Sequence, residues 1–397
     1  MSDGRTLRGK VAVVGIGESR YYKHGKSPDP EFKLALQAIV AACRDAGIDP
    51  RDVDGFSSFS NDRSEPVRLG NALGIRELRF SNMQWAGGGG GAAAAVGNAA
   101  AGIVAGMAEC IVVLRSLAQG QFQRFGFGPG APGAKTVSGD MAFQVPYGAI
   151  SPAQRFAMQT RRFMHDHGVR QEALRAIALA SYHHAQSNPR AVMHGRPLDA
   201  ATYDASRWIV EPFHLYDCCM ENDGAAAMIV VAAERAKDFP HKPVYVLGSA
   251  AGSDYRFGAP SHNTPDYGNS GFTTVAKRVY EMAKVGPKDV GVVQSYENFT
   301  GCVVMSLYEH GFFAGDEANE FLTFENLTAP NGRLPINTSG GNLAECYMHG
   351  FAMVIEAARQ VRGDSPNQAR RSDVSMMTAG PMIPPVSSII FGSEATL

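Results

Sequence analysis

Two short segments concentrate the side chains able to move protons. Tyr296-Glu297-Asn298-Phe299 follows directly on the β-branched run Val290 to Gln294. Ligands of α/β folds bind there, outside the carboxyl ends of strands. Asn337-Thr338-Ser339-Gly340-Gly341-Asn342, then Glu345-Cys346-Tyr347-Met348-His349-Gly350, is the densest polar stretch and runs into an apolar helix. Its paired glycines allow a sharp turn, and its polar side chains can line a cavity. A tyrosine hydroxyl donates and accepts hydrogen bonds, and its phenolate is a base. With a reference pKa of ~10 it is a poor base near neutrality unless its site stabilises the phenolate. Taken singly, a tyrosine is more often a structural hydrogen-bond donor than a catalyst, and both readings stand at this point.

The other reactive residues carry less. Cys302 and Cys346 lack a sequence-local activating partner, which fits inert core thiols. The six cysteines, at 43, 110, 218, 219, 302 and 346, form no Cys-x-x-Cys pair. That is thiol usage for a reducing cytoplasm, with no disulfide frame and no zinc site. The histidines show no metal spacing, and His183-His184 reads as a solvated pair on a polar helix. Gly15-x-Gly17 follows a strand but lacks the third glycine of a dinucleotide fingerprint, Arg20 standing there, so a tight turn at the strand end accounts for it better. The run Gly87 to Gly91 permits either close packing of the helix behind it or the approach of a ligand to that helix's N-terminus.

The elements that must position these residues alternate. Val11 to Val14 reads as a buried strand, and Asp29 to Ala46 as an amphipathic helix with Gly47 as its C-cap. Asp54 to Phe59 and Ile111 to Leu114 read as strands around an Ala- and Gly-rich helix from Ala92 to Ala108. Gln119 to Gly139 is loop-like. Two polar helices follow, about Ala153–His167 and Gln171–Gln186, inside an insertion of about residues 119–207. Residues 223–231 return to the core as a strand. A second half repeats the alternation: a strand from Pro243, a helix over Thr273–Ala283, a strand at 290–294, helices at Cys302–His310 and Gly350–Val361, and a closing strand at Val386–Phe391. This is an α/β chain with an internal duplication, divided at 1–240 and 241–397. With 37 Lys+Arg against 38 Asp+Glu, the net charge of −1 gives no case for nucleic acid or an anionic membrane surface. No stretch has the large apolar side chains of a membrane span.

The segments Val11-Ala-Val-Val-Gly-Ile-Gly-Glu18, Asp45-Ala-Gly-Ile48, Asn188-Pro189, Asp217-Cys218, Asn222-Asp-Gly-Ala-Ala-Ala227 and Asn337-Thr-Ser-Gly-Gly341 together resemble the thiolase superfamily, in its sterol-carrier-protein-type branch, over nearly the whole chain. The resemblance implies a five-layered α/β/α/β/α fold built from two similar βαβαβαββ halves with an inserted loop domain. It also implies a homodimer acting on acyl-CoA thioesters. The departures fall on the chemistry. No cysteine stands before the Ala-rich helix, where the matching region reads Gln84-Trp85-Ala86-Gly87-Gly88. The family's His-Asp-Cys-Phe is Tyr296-Glu297-Asn298-Phe299, and its Gly-His-Pro-x-Gly is Cys346-Tyr347-Met348-His349-Gly350. Its Cys-x-Gly is Thr378-Ala379-Gly380.

Both histidines have become tyrosine, which is similar to the cysteine-free thiolase-like steroid side-chain aldolases. That likeness implies a lyase cleaving a β-hydroxyacyl-CoA by a retro-aldol reaction to a ketone and a shorter acyl-CoA such as propionyl-CoA. No cofactor is implied beyond the CoA of the substrate. A retro-aldol step needs a base for the β-hydroxyl and donors for the developing enolate oxygen. Tyr347 is expected as the base, Tyr296 as second acid/base or orienting donor, and Asn298, His349 and the Gly380 backbone as oxyanion or positioning groups. A small partner subunit with an OB fold and a zinc ribbon is implied as well. The aromatic stretches Phe122–Phe127 and Phe143–Tyr147 suit either a bulky ring system or that partner. The alternatives are an acyl-CoA acetyltransferase with a non-standard nucleophile, or a non-catalytic thiolase-like subunit.

Overall fold

The computed structural model describes residues 6–121, 137–257 and 266–397, so the Phe122–Phe127 stretch lies outside the described residues. The first half contributes strands β1 (Val11–Glu18), β2 (Gly55–Phe59), β3 (Phe80–Gln84), β4 (Cys110–Ala118) and β5 (Asn222–Ala232). The second contributes β6 (Val244–Gly252), β7 (Val292–Ser295), β8 (Val374–Ala379) and β9 (Val386–Gly392). The helices that matter are α1 (Glu31–Ala46), α2 (Pro66–Leu73), α3 (Ala92–Val104), α4 (Pro152–His167), α5 (Gln171–Gln186), α6 (Thr273–Ala283), α7 (Thr300–Glu309) and α8 (Phe351–Arg362).

The strand order is β7-β8-β9-β6-β1-β5-β4-β2-β3. The duplication is legible in it. In the first half β1 and β5 pair antiparallel, β5 and β4 antiparallel, and β4 and β2 parallel. In the second half β6–β9, β9–β8 and β8–β7 repeat that sequence of directions. The counterpart of edge strand β3 is reduced to a single parallel bridge between Val293 and Ile336. The halves meet through a two-pair antiparallel ladder, Ala12 with Tyr245 and Val13 with Val244.

Helices α3 and α8 touch strands of both halves and form the middle layer, while α1 covers the first half and α6 the second, giving five layers. A middle helix faces sheet on two sides, so its residues must be small. In α3, Ala92, Ala93, Ala95, Ala99 and Ala100 are fully buried. Helices α4 and α5 rest on α7, which begins directly after Phe299. Among the described residues no helix is long and apolar enough to cross a membrane.

Two sequence expectations change. Gly15-x-Gly17 is not a turn, because β1 runs through it to Glu18. A Cβ at Gly17 would lie 2.1 Å from the Ala42 nitrogen and 2.4 Å from the Ala38 oxygen, so glycine here lets α1 seat on the strand. His184 is not solvated: it is fully buried, its Nε2 accepts the Ala329 N–H at 3.0 Å, and burial pushes its pKa down to about 3. Polar neighbours in sequence hid an inward-facing position on α5.

Candidate active site

Tyr296 leaves the carboxyl end of β7, held by its own N–H to the Thr378 carbonyl of β8 at 3.0 Å. Tyr347 lies in the turn before α8, where the Asn222 side chain accepts the Tyr347 N–H at 2.8 Å. Asn222 starts β5, and its own N–H is held by Gln119 at 2.6 Å. Residues 51 positions apart are thereby brought together: the Tyr296 hydroxyl donates to the Tyr347 hydroxyl at 2.9 Å, with the rings inclined at 65°. Tyr296 is wholly buried and Tyr347 is 8% exposed, so Tyr347 is the more accessible of the two.

Burial raises the pKa of both phenols, yet the pair is not symmetrical. For Tyr347, the hydrogen bond from Tyr296 and the nearby Arg115 cation oppose that rise. For Tyr296, the partner phenol adds to it. If one of the two ionises, it is Tyr347, with Tyr296 as the donor that stabilises its phenolate.

The glycine run leaves no room for a side chain of its own beside Tyr296. A Cβ on Gly89, in the turn Gly88–Gly91 before α3, would lie 2.1 Å from Tyr296 Cε2 and 2.5 Å from its hydroxyl oxygen. The phenol occupies the volume that a side chain there would need. The two readings of this run can hold together, and the close packing is observed directly. The α3 N-terminus is also partly satisfied, since Ser387 Oγ accepts the Ala94 N–H at 3.2 Å and donates to the Gly90 carbonyl at 2.6 Å.

The remaining expected residues fall as follows. His349, buried and at φ 47°, has its ring perpendicular to that of Tyr347 at a centroid distance of 5.2 Å. Its Nδ1 lies 2.9 Å from Arg115 Nη2, and burial followed by the charges of Arg115 and Arg63 holds its pKa well below the ordinary range. Asn298 is engaged with backbone: Oδ1 accepts the Phe299 N–H at 3.1 Å, and Nδ2 donates to the Pro381 carbonyl at 3.3 Å. Gly380, at φ 73°, lies against Gly90, where a Cβ would be 2.2 Å from the Gly90 Cα. Thr378 is a buried structural hydroxyl, accepting from Ser306 at 2.9 Å and donating to Ser295 at 3.1 Å. Burial raises the Cys302 and Cys346 thiols, as expected of core residues.

Three residues escaped the sequence reading. Arg115, in the middle of β4 and 1% exposed, pairs with Asp62 at 3.1 Å and donates to Asn61 and to the Phe59 carbonyl. An arginine inside an otherwise apolar strand was the available signal, because so buried a charge needs partners. Asn222 had a signal in its motif but no assigned contact. Glu297, next to Tyr296, is buried, accepts from Asn337 at 2.7 Å, and is pushed up to about 8 by burial.

The site therefore defines a class: a thiolase-like fold in which two hydrogen-bonded phenols and a buried histidine meet beside a glycine turn. Comparison with known proteins agrees. Residues 259–393 match the thiolase C-terminal domain-like family. The chain is 38% identical to a steroid side-chain-cleaving aldolase of Thermomonospora curvata, across 98% of this chain and 99% of that one. It is 36% identical to a 17-hydroxy-3-oxo-4-pregnene-20-carboxyl-CoA lyase of Mycobacterium tuberculosis, across 97% and 100%. The solved Ltp2-ChsH2(DUF35) aldolase superposes with a TM-score of 0.89 at 36% identity, covering 99% of this chain and all of that one. The chain belongs to the thiolase-like family of acyl-CoA aldolases that includes these carbon–carbon lyases.

Proposed function

We propose that this chain cleaves the Cα–Cβ bond of a β-hydroxyacyl-CoA whose β-carbon is a tertiary alcohol on a bulky ring system, such as a steroid side chain. Tyr347 takes the β-hydroxyl proton as the Cα–Cβ bond breaks. The β-carbon leaves as a ketone, and the bonding pair moves to Cα and the thioester oxygen as an enolate. A proton returned to Cα gives the shorter acyl-CoA, propionyl-CoA where Cα carries a methyl group. Tyr296 holds the Tyr347 oxygen through its hydrogen bond, and His349 donates to the enolate oxygen. Asn298 and Gly380 position the loop opposite. The observation that carries this reading is the 2.9 Å bond between the two hydroxyls beside Gly89, where a side chain would collide with Tyr296.

The working assembly is a homodimer of this chain with a small subunit bearing an OB fold and zinc ribbon. The similar Ltp2-ChsH2(DUF35) structure, itself a two-component aldolase by its name, supports that partner. Six unpaired cysteines fit a cytoplasmic setting. The test is incubation with a β-hydroxyacyl-CoA carrying a tertiary alcohol, without free CoA, alone and with the small subunit. Equal amounts of ketone and shortened acyl-CoA are expected. Turnover only with added CoA means thiolysis, and no turnover in either assembly means a non-catalytic subunit.

A further inference from the structure

A guanidinium has five donors and no acceptor. Arg115 Nη2 lies 2.9 Å from His349 Nδ1 with both groups buried, so Nδ1 must be the acceptor and carry no proton. A neutral imidazole with a bare Nδ1 carries its hydrogen on Nε2. We propose that Arg115 is a positioning residue that fixes His349 as a neutral Nε2–H donor for the enolate oxygen and never as a general base. This rests on the retro-aldol reading and assigns the acid half of that site.

Arg115 is itself over-determined. Asp62 Oδ2 at 3.1 Å balances its charge, Asn61 Oδ1 at 3.1 Å and the Phe59 carbonyl at 3.3 Å take further N–H groups, and the guanidinium lies 5.3 Å from the Phe59 ring centroid. Such a fork cannot rotate away from His349 without breaking several charge-assisted bonds. The left-handed backbone of His349, at φ 47°, is a sparsely populated state that its surroundings must hold in place. The charged and titratable groups acting on this imidazole include Arg115 from β4, itself paired with Asp62, Arg63 from the segment after β2, and Tyr347 from its own turn. Two nearby cations disfavour an imidazolium. The same Arg115 charge favours the Tyr347 phenolate, so one guanidinium biases both halves of the proton chemistry.

The decisive measurement is ¹⁵N–¹H correlation of wild-type protein labelled at histidine nitrogens, with His349 assigned by the signal missing in His349→Gln. A single neutral Nε2–H form from pH 5.5 to 8.5 is expected; an imidazolium or an Nδ1–H form overturns the proposal. Because this spectrum needs no turnover, it separates failure of the inference from failure of the lyase reading. In the assay, Arg115→Met should lower kcat about 100-fold, the usual effect of disabling one oxyanion donor, with KM changed less than about threefold. Arg115→Lys should recover most of that loss by restoring a cationic donor. Wild-type kcat in Arg115→Met, or no recovery in Arg115→Lys, overturns it. Should Arg115→Met not fold, the wild-type spectrum still decides.

Discussion

Gly89→Ala tests the geometry of the site with one added methyl group. The new Cβ would stand 2.1 Å from Tyr296 Cε2, 2.4 Å from Cζ and 2.5 Å from the hydroxyl oxygen. Carbon atoms settle at about 3.5 Å or more, so the ring or the turn must give by roughly 1.4 Å. Tyr296 has little room: it is fully buried, and Gly350 packs against the same ring edge, where a Cβ would lie 2.5 Å from Cδ2. The displacement falls on the hydroxyl that holds Tyr347, and a misplacement of about 1 Å costs on the order of 100-fold in rate. Overpacking should also cost about 1–3 kcal/mol of stability. The assay is steady-state ketone release, with chemical denaturation in parallel. Gly70→Ala on α2 is the control, since its Cβ would meet only Ile75 at 3.8 Å. The expected result is a kcat about 100-fold lower for Gly89→Ala, near-unchanged KM, and an unaffected Gly70→Ala. Wild-type kcat in a folded Gly89→Ala would refute the view that Tyr296 fills this space in the working enzyme.

Further outcomes follow from the same structure. Cys302→Ala and Cys346→Ala remove fully buried, proton-bearing thiols, and should leave kcat within a few-fold at a stability cost of roughly 1 kcal/mol; complete inactivation by either would reopen covalent catalysis. Glu297 is fully buried and its pKa is raised to about 8, so the stability it contributes is present below its ordinary ~4.3 and is lost as pH rises through about 8. Glu297→Gln does not titrate. Its unfolding free energy should therefore gain on the wild type by up to about 1.4 kcal/mol per pH unit between about pH 5 and 8, whereas parallel denaturation profiles would contradict this.

Most elements were legible because their patterns are local. The Thr273–Ala283 and Gln171–Gln186 helices stand where they are expected, and the Ala-rich helix, whose small side chains imply close packing on all sides, lies in the middle layer. β3 was missed because Phe-Ser-Asn-Met-Gln at a sheet edge has neither an apolar run nor turn residues beside it. β8 was missed because serine and threonine interrupt its methionines, and its Thr378 hydroxyl finds buried partners only once β7 and α7 are in place. At the site, the two tyrosines were found through motif positions, but their mutual bond spans 51 residues and the Arg115–His349 contact spans 234. No local pattern encodes contacts of that separation. Gly15-x-Gly17 and His184 were misjudged for one reason: a residue's neighbours along the chain differ from those the folded core presses against it.

The central claim is that a tyrosine hydroxyl, not a thiol, carries the proton chemistry. Tyr347→Phe deletes that oxygen and little else, since the residue's backbone is held by Asn222. The measurement is kcat for cleavage of a β-hydroxyacyl-CoA at saturation, beside the Kd for the same ligand. The account predicts a fall of roughly 10²–10⁴-fold, the contribution of a positioned base, with Kd essentially unchanged. Turnover within a few-fold of wild type in this variant would contradict it.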